Sequence, residues 1–165
     1  MSSAFTLIED TVLGSPAASI TFNTSLTSYT KFRLTIYAIK DGVAGSIYVR
    51  LNGDTGNNYA RQYVLAEGTT VAGGRANGDN GMKLAAGFAA NGTAIDTLEI
   101  SKPLTTTPAR VTRSTAFIRT TVGITLEELV YEWNNTADLI SSISILASAG
   151  DFAANTRAVL EGAAP

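Results

Sequence analysis

The chain has 165 residues, of which 45% are hydrophobic and only 16% are charged, and it contains no cysteine and no histidine. This length suits one domain that builds its own core without disulfides. The net charge of −2 argues against a nucleic-acid-binding surface, and the lack of histidine removes the commonest general base, so we expect neither an enzyme nor a cofactor.

Alternating hydrophobic residues predict β-strands along most of the chain. The strongest candidate is residues 29–40, where Phe32, Leu34 and Ile36 recur at the two-residue period of a strand. Turn-forming residues separate the candidates at intervals of roughly 8–15 residues, which is typical of a sandwich or jelly roll. In chain order, the other predicted strands are residues 5–13, 18–22, 46–51, 59–65, 94–102, 109–121, 137–147 and 156–161.

Residues 46–65 predict a β-hairpin. Ile47 and Val49 alternate with polar residues, and the chain then enters the polar stretch NGDTGNN at residues 52–58. Gly, Asn and Asp tolerate the positive φ angles that tight turns need. A second alternating stretch, residues 59–65, follows the turn, so we expect it to return along the first strand.

Residues 68–81 predict a long loop rather than a strand. Their sequence, GTTVAGGRANGDNG, is very rich in Gly and Asn for a regular element. A loop of this length inside a compact domain usually binds or packs against a neighbour. We therefore predict that Arg75, Asn77 and Asp79 contact a partner.

Residues 123–133 give two conflicting patterns. Hydrophobic residues from Leu126 to Trp133 recur at helical spacing, and a capping-box pattern precedes them. In a strand, Leu129, Tyr131 and Trp133 would instead share one face. The sequence leaves one short helix and a strand as open alternatives for this segment.

Several short motifs follow one another in order between residues 19 and 160. The most specific are the segment VRLNGDTGNNY at residues 49–59 and the spacing from Trp133 to Ile140. The others are SITF at 19–22, Tyr29 with FRL at 32–34, LEI at 98–100, WNNTA at 133–137, SI at 142–143 and GDFAANTR at 150–157. Together they resemble small phage virion proteins built as a jelly-roll β-sandwich, and the related C-terminal domains of tail fibres.

The resemblance implies an all-β, antiparallel, jelly-roll-like β-sandwich and a structural role. Proteins of this kind decorate capsids, often as trimers, or form attachment parts of tails. We therefore expect a capsid decoration or cement protein on the virion surface, with the major capsid protein and two further copies of itself as partners. The alternative is a receptor- or glycan-binding module of a tail or head fibre.

Residues 1–16 precede the region of resemblance and are predicted to form an N-terminal strand or arm, with the sandwich domain at residues 17–165. Phe5, Leu7 and Ile8 are hydrophobic residues of this segment, and we predict that they contact a partner. The chain has no run of about 18 apolar residues and no visible secretory signal, so we expect no membrane partner and synthesis in the host cytoplasm.

Asp54 is the candidate ligand for a metal ion. Together with Asn57, Asn58 and nearby carbonyl groups it offers the oxygen atoms that Ca²⁺ prefers. A single carboxylate supplies little charge for such a site. The alternative is that Asp54 and Asn57 cap the turn, and we expect no bound metal.

Glu127, Glu128 and Glu132 are candidate acid and base carboxylates of the kind that glycoside hydrolases use, and the alternative is a solvated strand or helix face. Trp133 is a candidate platform for a sugar, or otherwise a core residue. Three tyrosines, Tyr48, Tyr59 and Tyr63, would line a receptor groove or pack on one another across the predicted hairpin.

The final strand departs from the family. In the proteins that this chain resembles it usually ends Leu-Tyr-Gly-Ile, whereas here the sequence is Leu160-Glu161-Gly162-Ala163. The sequence alone therefore does not predict how this strand packs.

Overall fold

The computed structural model describes residues 4–102, 106–120 and 123–165. In these ranges the chain forms β-strands and one short 3₁₀ turn at Leu26–Ser28. The strands are β1 (Thr6–Val12), β2 (Ser19–Phe22), β3 (Lys31–Asp41), β4 (Gly45–Leu51), β5 (Tyr59–Glu67), β6 (Thr70–Asp79), β7 (Met82–Phe88), β8 (Thr93–Ser101), β9 (Ala109–Thr120), β10 (Gly123–Trp133), β11 (Ile143–Ala147), β12 (Asp151–Phe152) and β13 (Arg157–Ala163). The described ranges contain no helix that is long and apolar enough to cross a membrane.

Eight strands form a long antiparallel sheet in the order β1-β13-β3-β8-β9-β10-β5-β6. Short strand β12 pairs with the end of β3. Strand β9 carries a bulge opposite β10. Thr112 pairs with Val130 and Ala116 pairs with Glu127, and β9 has one more residue between these two pairs than β10 has. The pairing of β9 with β8 shifts in the same region. A bulge of this kind bends a strand and increases its twist.

Four strands form a shorter antiparallel sheet in the order β7-β4-β11-β2. One backbone pair, between Phe88 and Thr120, joins β7 of this sheet to β9 of the long sheet. The chain passes from one sheet to the other at most of its connections, as jelly-roll chains do. The predicted all-β, antiparallel sandwich is confirmed.

Side chains from both sheets meet in one hydrophobic core. Strand β3 is typical: Phe32, Leu34 and Ile36 are buried, whereas the residues between them face away from the short sheet. Burying each of these three side chains stabilises the fold by about 1.5–3 kcal/mol. From the long sheet the core includes Leu98, Ile100, Val111, Leu129, Trp133 and Leu160, and from the short sheet Ile20, Phe22, Val49, Leu51, Ile143 and Ile145.

Two buried tyrosines of the long sheet hydrogen-bond to the backbone of the short sheet. The hydroxyl of Tyr59 accepts a hydrogen bond of 3.0 Å from the N–H of Leu51 and donates one of 3.4 Å to its carbonyl. The hydroxyl of Tyr131 accepts from the N–H of Lys83 at 2.7 Å and donates to its carbonyl at 3.1 Å. These bonds join the two sheets at β4 and β7, and the carbonyl of Leu51 also accepts a hydrogen bond of 3.0 Å from the N–H of Asp54.

The predicted hairpin at residues 46–65 is wrong. Strand β4 pairs with β7 and β11 in the short sheet, whereas β5 pairs with β6 and β10 in the long sheet. The polar stretch at residues 52–58 therefore carries the chain across the sandwich. Period-two alternation identifies the buried face of each strand but does not identify the neighbouring strand. Consequently Tyr48 and Tyr59 are not cross-strand neighbours.

The predicted Gly-rich loop is also wrong, because most of residues 68–81 belong to strand β6. This strand pairs with β5 along its length, so β5 and β6 form a β-hairpin. The sequence predicted a hairpin between β4 and β5 instead. Gly74 suits the strand because the ring of Tyr63 lies directly over it. A Cβ atom at Gly74 would lie 2.7 Å from the Tyr63 hydroxyl. Pairing with β5 thus overrides the low intrinsic strand propensity of glycine.

Residues 123–133 form strand β10, so the helical alternative is wrong. Leu129, Tyr131 and Trp133 are buried on one face, as the strand pattern requires. Strand β10 pairs on one side with β5 and on the other with β9. Two neighbouring strands give this segment backbone hydrogen bonds on both sides, which outweigh its local helical pattern.

The final strand, β13, lies inside the long sheet and pairs with β1 and β3. Ala158 and Leu160 are buried in the core, and Arg157 faces outwards. Gly162 faces inwards against Tyr29 and Ile8, where a Cβ atom would lie 2.5 Å and 2.6 Å from their side chains. The departure from the family ending is therefore compatible with a fully paired strand.

Candidate interaction surfaces

The long sheet ends in two open edges, β1 and β6. Among the described residues, strand β1 pairs with β13 alone and strand β6 with β5 alone. Such edges present unpaired N–H and C=O groups to which an extended segment of another chain can bind. All six predicted contact residues lie on or next to these edges: Phe5, Leu7 and Ile8 at β1, and Arg75, Asn77 and Asp79 on β6.

At the β1 edge, the three predicted residues have different surroundings. The side chain of Leu7 is 62% exposed, whereas Ile8 packs against the core. The ring of Phe5 lies 4.2 Å from the guanidinium of Arg33, which is a cation–π contact. The pairing with β13 shifts between Leu7 and Glu9, so the edge is irregular there. Leu7 is the residue most accessible to a partner.

At the β6 edge, Arg75 and Asn77 are exposed and Val71 is 73% exposed. Asp79 is half-buried, and its Oδ2 lies 3.2 Å from Nε of Arg61. The contact is an ion pair without the alignment of a hydrogen bond. The strand has neither Pro nor Lys, the residues with which natural edges commonly block pairing. Strand β1 lacks both residues as well, so neither edge is blocked in this way.

A shallow trough crosses the face of the long sheet that is turned away from the short sheet. Two cross-strand rows form it: Ser101, Arg110, Glu132 and Ala60 in one row, and Thr112, Val130 and Gln62 in the next. Three adjoining cavities of about 390, 250 and 280 Å³ lie along it. We call this feature the outer trough; Val64, Thr107, Pro108 and Glu128 also line it. Its lining further includes four residues at the alternate, inward-facing positions of β5 and β10: Arg61, Tyr63, Leu129 and Tyr131.

The outer trough stands on four interior strands, β8, β9, β10 and β5, each paired on both sides. Its polar side chains are therefore held by a rigid backbone, and Val130 lies at its centre. The outer trough was not predicted from the sequence, because β5 lies far in the chain from β9 and β10. One feature of the sequence could have indicated the trough: Val64 and Val130 are hydrophobic residues on the otherwise polar faces of their strands.

The Asp54 carboxylate is saturated by hydrogen bonds within the protein. Oδ2 accepts from the indole Nε1 of Trp133 at 2.7 Å and from Nδ2 of Asn58 at 2.9 Å, and Oδ1 accepts from the N–H of Gly56 at 2.8 Å. Burial acts to raise the pKa of Asp54, but these hydrogen bonds and Arg50 outweigh it and hold the pKa below its usual value. This geometry matches the turn-capping alternative. Among the described residues, no three acidic side chains cluster as metal ligands.

The other predicted site residues are separated by the fold. Glu127 is buried on the inner face of β10, whereas Glu128 and Glu132 face outwards, so Glu127 and Glu128 do not share a cleft. Trp133 is fully buried, so it is a core residue and not an exposed platform for a sugar. Its ring stacks on Tyr59 at 6.5 Å and lies 5.3 Å from Nζ of Lys102.

Comparisons with known proteins do not identify a family for this chain. No family model and no curated protein matches the chain. Among solved structures, it is similar to the galectin LEC-6 of Caenorhabditis elegans, with 14% identity over 85% of this chain and 96% of that chain, and a TM-score of 0.30. It is also similar to the CBM2 module of the evolved Dit of Lactobacillus casei BL23 phage J-1, with 10% identity over 92% and 76% and a TM-score of 0.22. Similarity at this level carries no argument about function.

Proposed function

We propose that the protein is a virion structural component, a capsid decoration or cement protein that binds the outer face of a phage head and reinforces it. The observation that carries the proposal is the position of the six predicted contact residues at the two opposite open edges of one sheet. A subunit with contact sites at both ends can join two neighbours in a shell. The motif order that resembles phage virion proteins supports the same role.

The proposed mechanism is mechanical. The sandwich is rigid because its sheets share one core and are hydrogen-bonded through Tyr59 and Tyr131. An extended segment of a capsid subunit would add to the β6 edge by backbone hydrogen bonds, beside the exposed side chains of Val71 and Arg75. Leu7 would contribute an apolar contact at the other edge. In a trimer, three copies of each weak contact would act together and make detachment slow.

The test is binding of the purified protein to undecorated shells assembled from the cognate major capsid protein. We expect saturable binding at symmetric positions, visible by electron microscopy, and shells that resist heat better when decorated. Light scattering of the free protein should give the mass of a trimer. Shells that show no saturable binding would overturn the proposal and favour the fibre-associated alternative.

Edge variants test where the contact lies. Lysine at both Val71 and Asn77 should weaken shell binding, because charged side chains on an edge block the addition of another strand. The matched control places lysine at Thr93 and Ile95, two exposed positions on interior strand β8. Equal binding by the two double variants would show that β6 is not the contact.

A further inference from the structure

The outer trough has chemistry that capsid attachment does not use. We propose that it binds a neutral polysaccharide, an uncharged polymer rich in hydroxyl groups. The inference rests on the trough residues alone and goes beyond the proposed function, since the two open edges lie elsewhere on the sheet.

The polar side chains of the outer trough can pair with neighbouring hydroxyl groups. Arg110 and Gln62 present N–H donors, and Gln62, Glu128 and Glu132 present oxygen acceptors. Each hydroxyl of a sugar both donates and accepts, so a lining that mixes planar donors and acceptors suits it. Between these groups, Val130 offers an apolar floor against which the C–H face of a sugar ring can pack.

Charge complementarity favours a neutral ligand. Arg110 and Glu132 are cross-strand neighbours, so their opposite charges offset each other in the middle of the trough. The rest of the lining adds one carboxylate, Glu128, and one cation, Arg61, whose charge is paired with Asp79 at 3.2 Å. Ser101 and Thr112 are uncharged. An anionic polymer would need several cationic side chains. A hydrophobic peptide would need a deeper apolar pocket for its anchoring side chain.

The dimensions of the outer trough favour a polymer over a single sugar. Its three cavities adjoin one another, since the first shares Gln62 and Val130 with the second and Arg110 with the third. A chain of several sugar units can therefore follow the rows. Because the lining strands are paired on both sides, little ordering of the protein accompanies binding.

The affinity of one trough should be low. The outward-facing side chains described in its lining include no aromatic ring, the platform that most strengthens sugar binding. Several copies displayed side by side would bind one long polysaccharide much more tightly than one copy does.

The experiment compares the wild-type protein with Val130→Lys and with Ile95→Lys as the matched control. Val130 is 50% exposed and Ile95 is 51% exposed, and Ile95 lies on β8 outside the trough. Each protein is titrated with linear hexasaccharides of glucose, mannose and galactose, and with a heparin hexasaccharide, while ligand-observed NMR measures binding. Thermal unfolding confirms that each variant is folded, and Arg110→Met serves as a second trough variant.

We expect at least one neutral hexasaccharide to bind the wild-type protein. Val130→Lys should weaken this binding about tenfold or more, because the longer, charged side chain occupies the apolar floor. Arg110→Met should also weaken it, whereas Ile95→Lys should leave it unchanged. Binding of none of the neutral probes, binding of heparin alone, or equal effects of the two lysine variants would overturn the proposal.

Discussion

The indole nitrogen of Trp133 donates a 2.7 Å hydrogen bond to the carboxylate of Asp54, and this bond joins the end of β10 to the polar crossing between β4 and β5. Trp133 is fully buried and Asp54 lies at the rim of the core. The same carboxylate also orders the crossing through Gly56 and Asn58. The pair therefore fixes the point at which the chain passes from the short sheet to the long sheet.

Asp54→Asn should lower the free energy of unfolding by about 2 kcal/mol. In this variant an amide NH₂ replaces one carboxylate oxygen. The NH₂ group cannot accept hydrogen bonds from the N–H groups that point at it, so a donor such as the buried indole of Trp133 loses its partner. The matched control is Asp138→Asn, an exposed carboxylate that accepts one bond from Asn135, and it should change stability by less than about 0.5 kcal/mol. Chemical denaturation measures both, and equal effects would contradict the assigned role of Asp54.

Stability should fall in acid as Asp54 and Asp10 take up protons. The pKa of Asp10 is lowered mainly by its hydrogen bonds from Arg157, and the pKa of Asp54 is also lowered from the ordinary value of 3.8. Because the unfolded chain binds these protons first, the stabilisation is complete above that value and is lost as the pH falls through the lowered values. Urea denaturation between about pH 6 and pH 2 should show a shallower decline for Asp54→Asn than for the wild-type protein.

Stability should also fall in strong alkali. Burial raises the pKa values of Tyr59 and Tyr131 from 10.0 to about 12, so the folded protein disfavours both phenolates. The stabilisation is complete below pH 10 and is lost as the pH rises towards 12. Tyr131→Phe should cost about 1–3 kcal/mol at neutral pH, because Lys83 loses its partner. Its stability should then decline less steeply between pH 10 and 12; a decline as steep as in the wild-type protein would contradict the argument.

Gly162→Ala should destabilise the protein by about 1–3 kcal/mol, because the added methyl group would collide with Tyr29 and Ile8. Gly14→Ala is the matched control, since a Cβ atom at Gly14 has no neighbour within 4 Å. Thermal unfolding should separate the two variants clearly. Equal melting temperatures would show that β1 and Tyr29 shift easily away from β13.

Much of the fold could be predicted from alternation alone. Strand β3 appears in the sequence with its buried face correctly assigned, because hydrophobic residues at a two-residue period have one structural explanation. Strands β8 and β13 also appear, within two residues of their observed bounds. Pairing could not be predicted in the same way. The choice of partner for β5 depends on β10, about 60 residues later in the chain, and that contact leaves no local trace.

The same difference holds for the candidate surfaces: residues with a local signal could be predicted, whereas a surface that depends on strand pairing could not. The edge residues Leu7 and Arg75 were identified because they stand out locally, one as an apolar residue in a terminal segment and the other as a cation among glycines. The outer trough needed consecutive strands β9 and β10 to be placed beside the distant strand β5 before Gln62, Arg110 and Val130 came together. A surface built from cross-strand rows becomes visible only when the order of the strands is known.

The pairing of Thr6 with Gly162 places the first and last strands side by side in opposite directions. A short flexible linker could therefore connect them, and the chain could be reopened at the Asp41–Gly42 turn, where Gly42 has a φ of 65° and its Cβ position is open to solvent. Such a circular permutant should keep the same core. A peptide fused to a terminus of the permutant would lie at the end of β3, beside Asp41, instead of at the β1 edge. The protein would then offer a second position at which a fused peptide can be displayed.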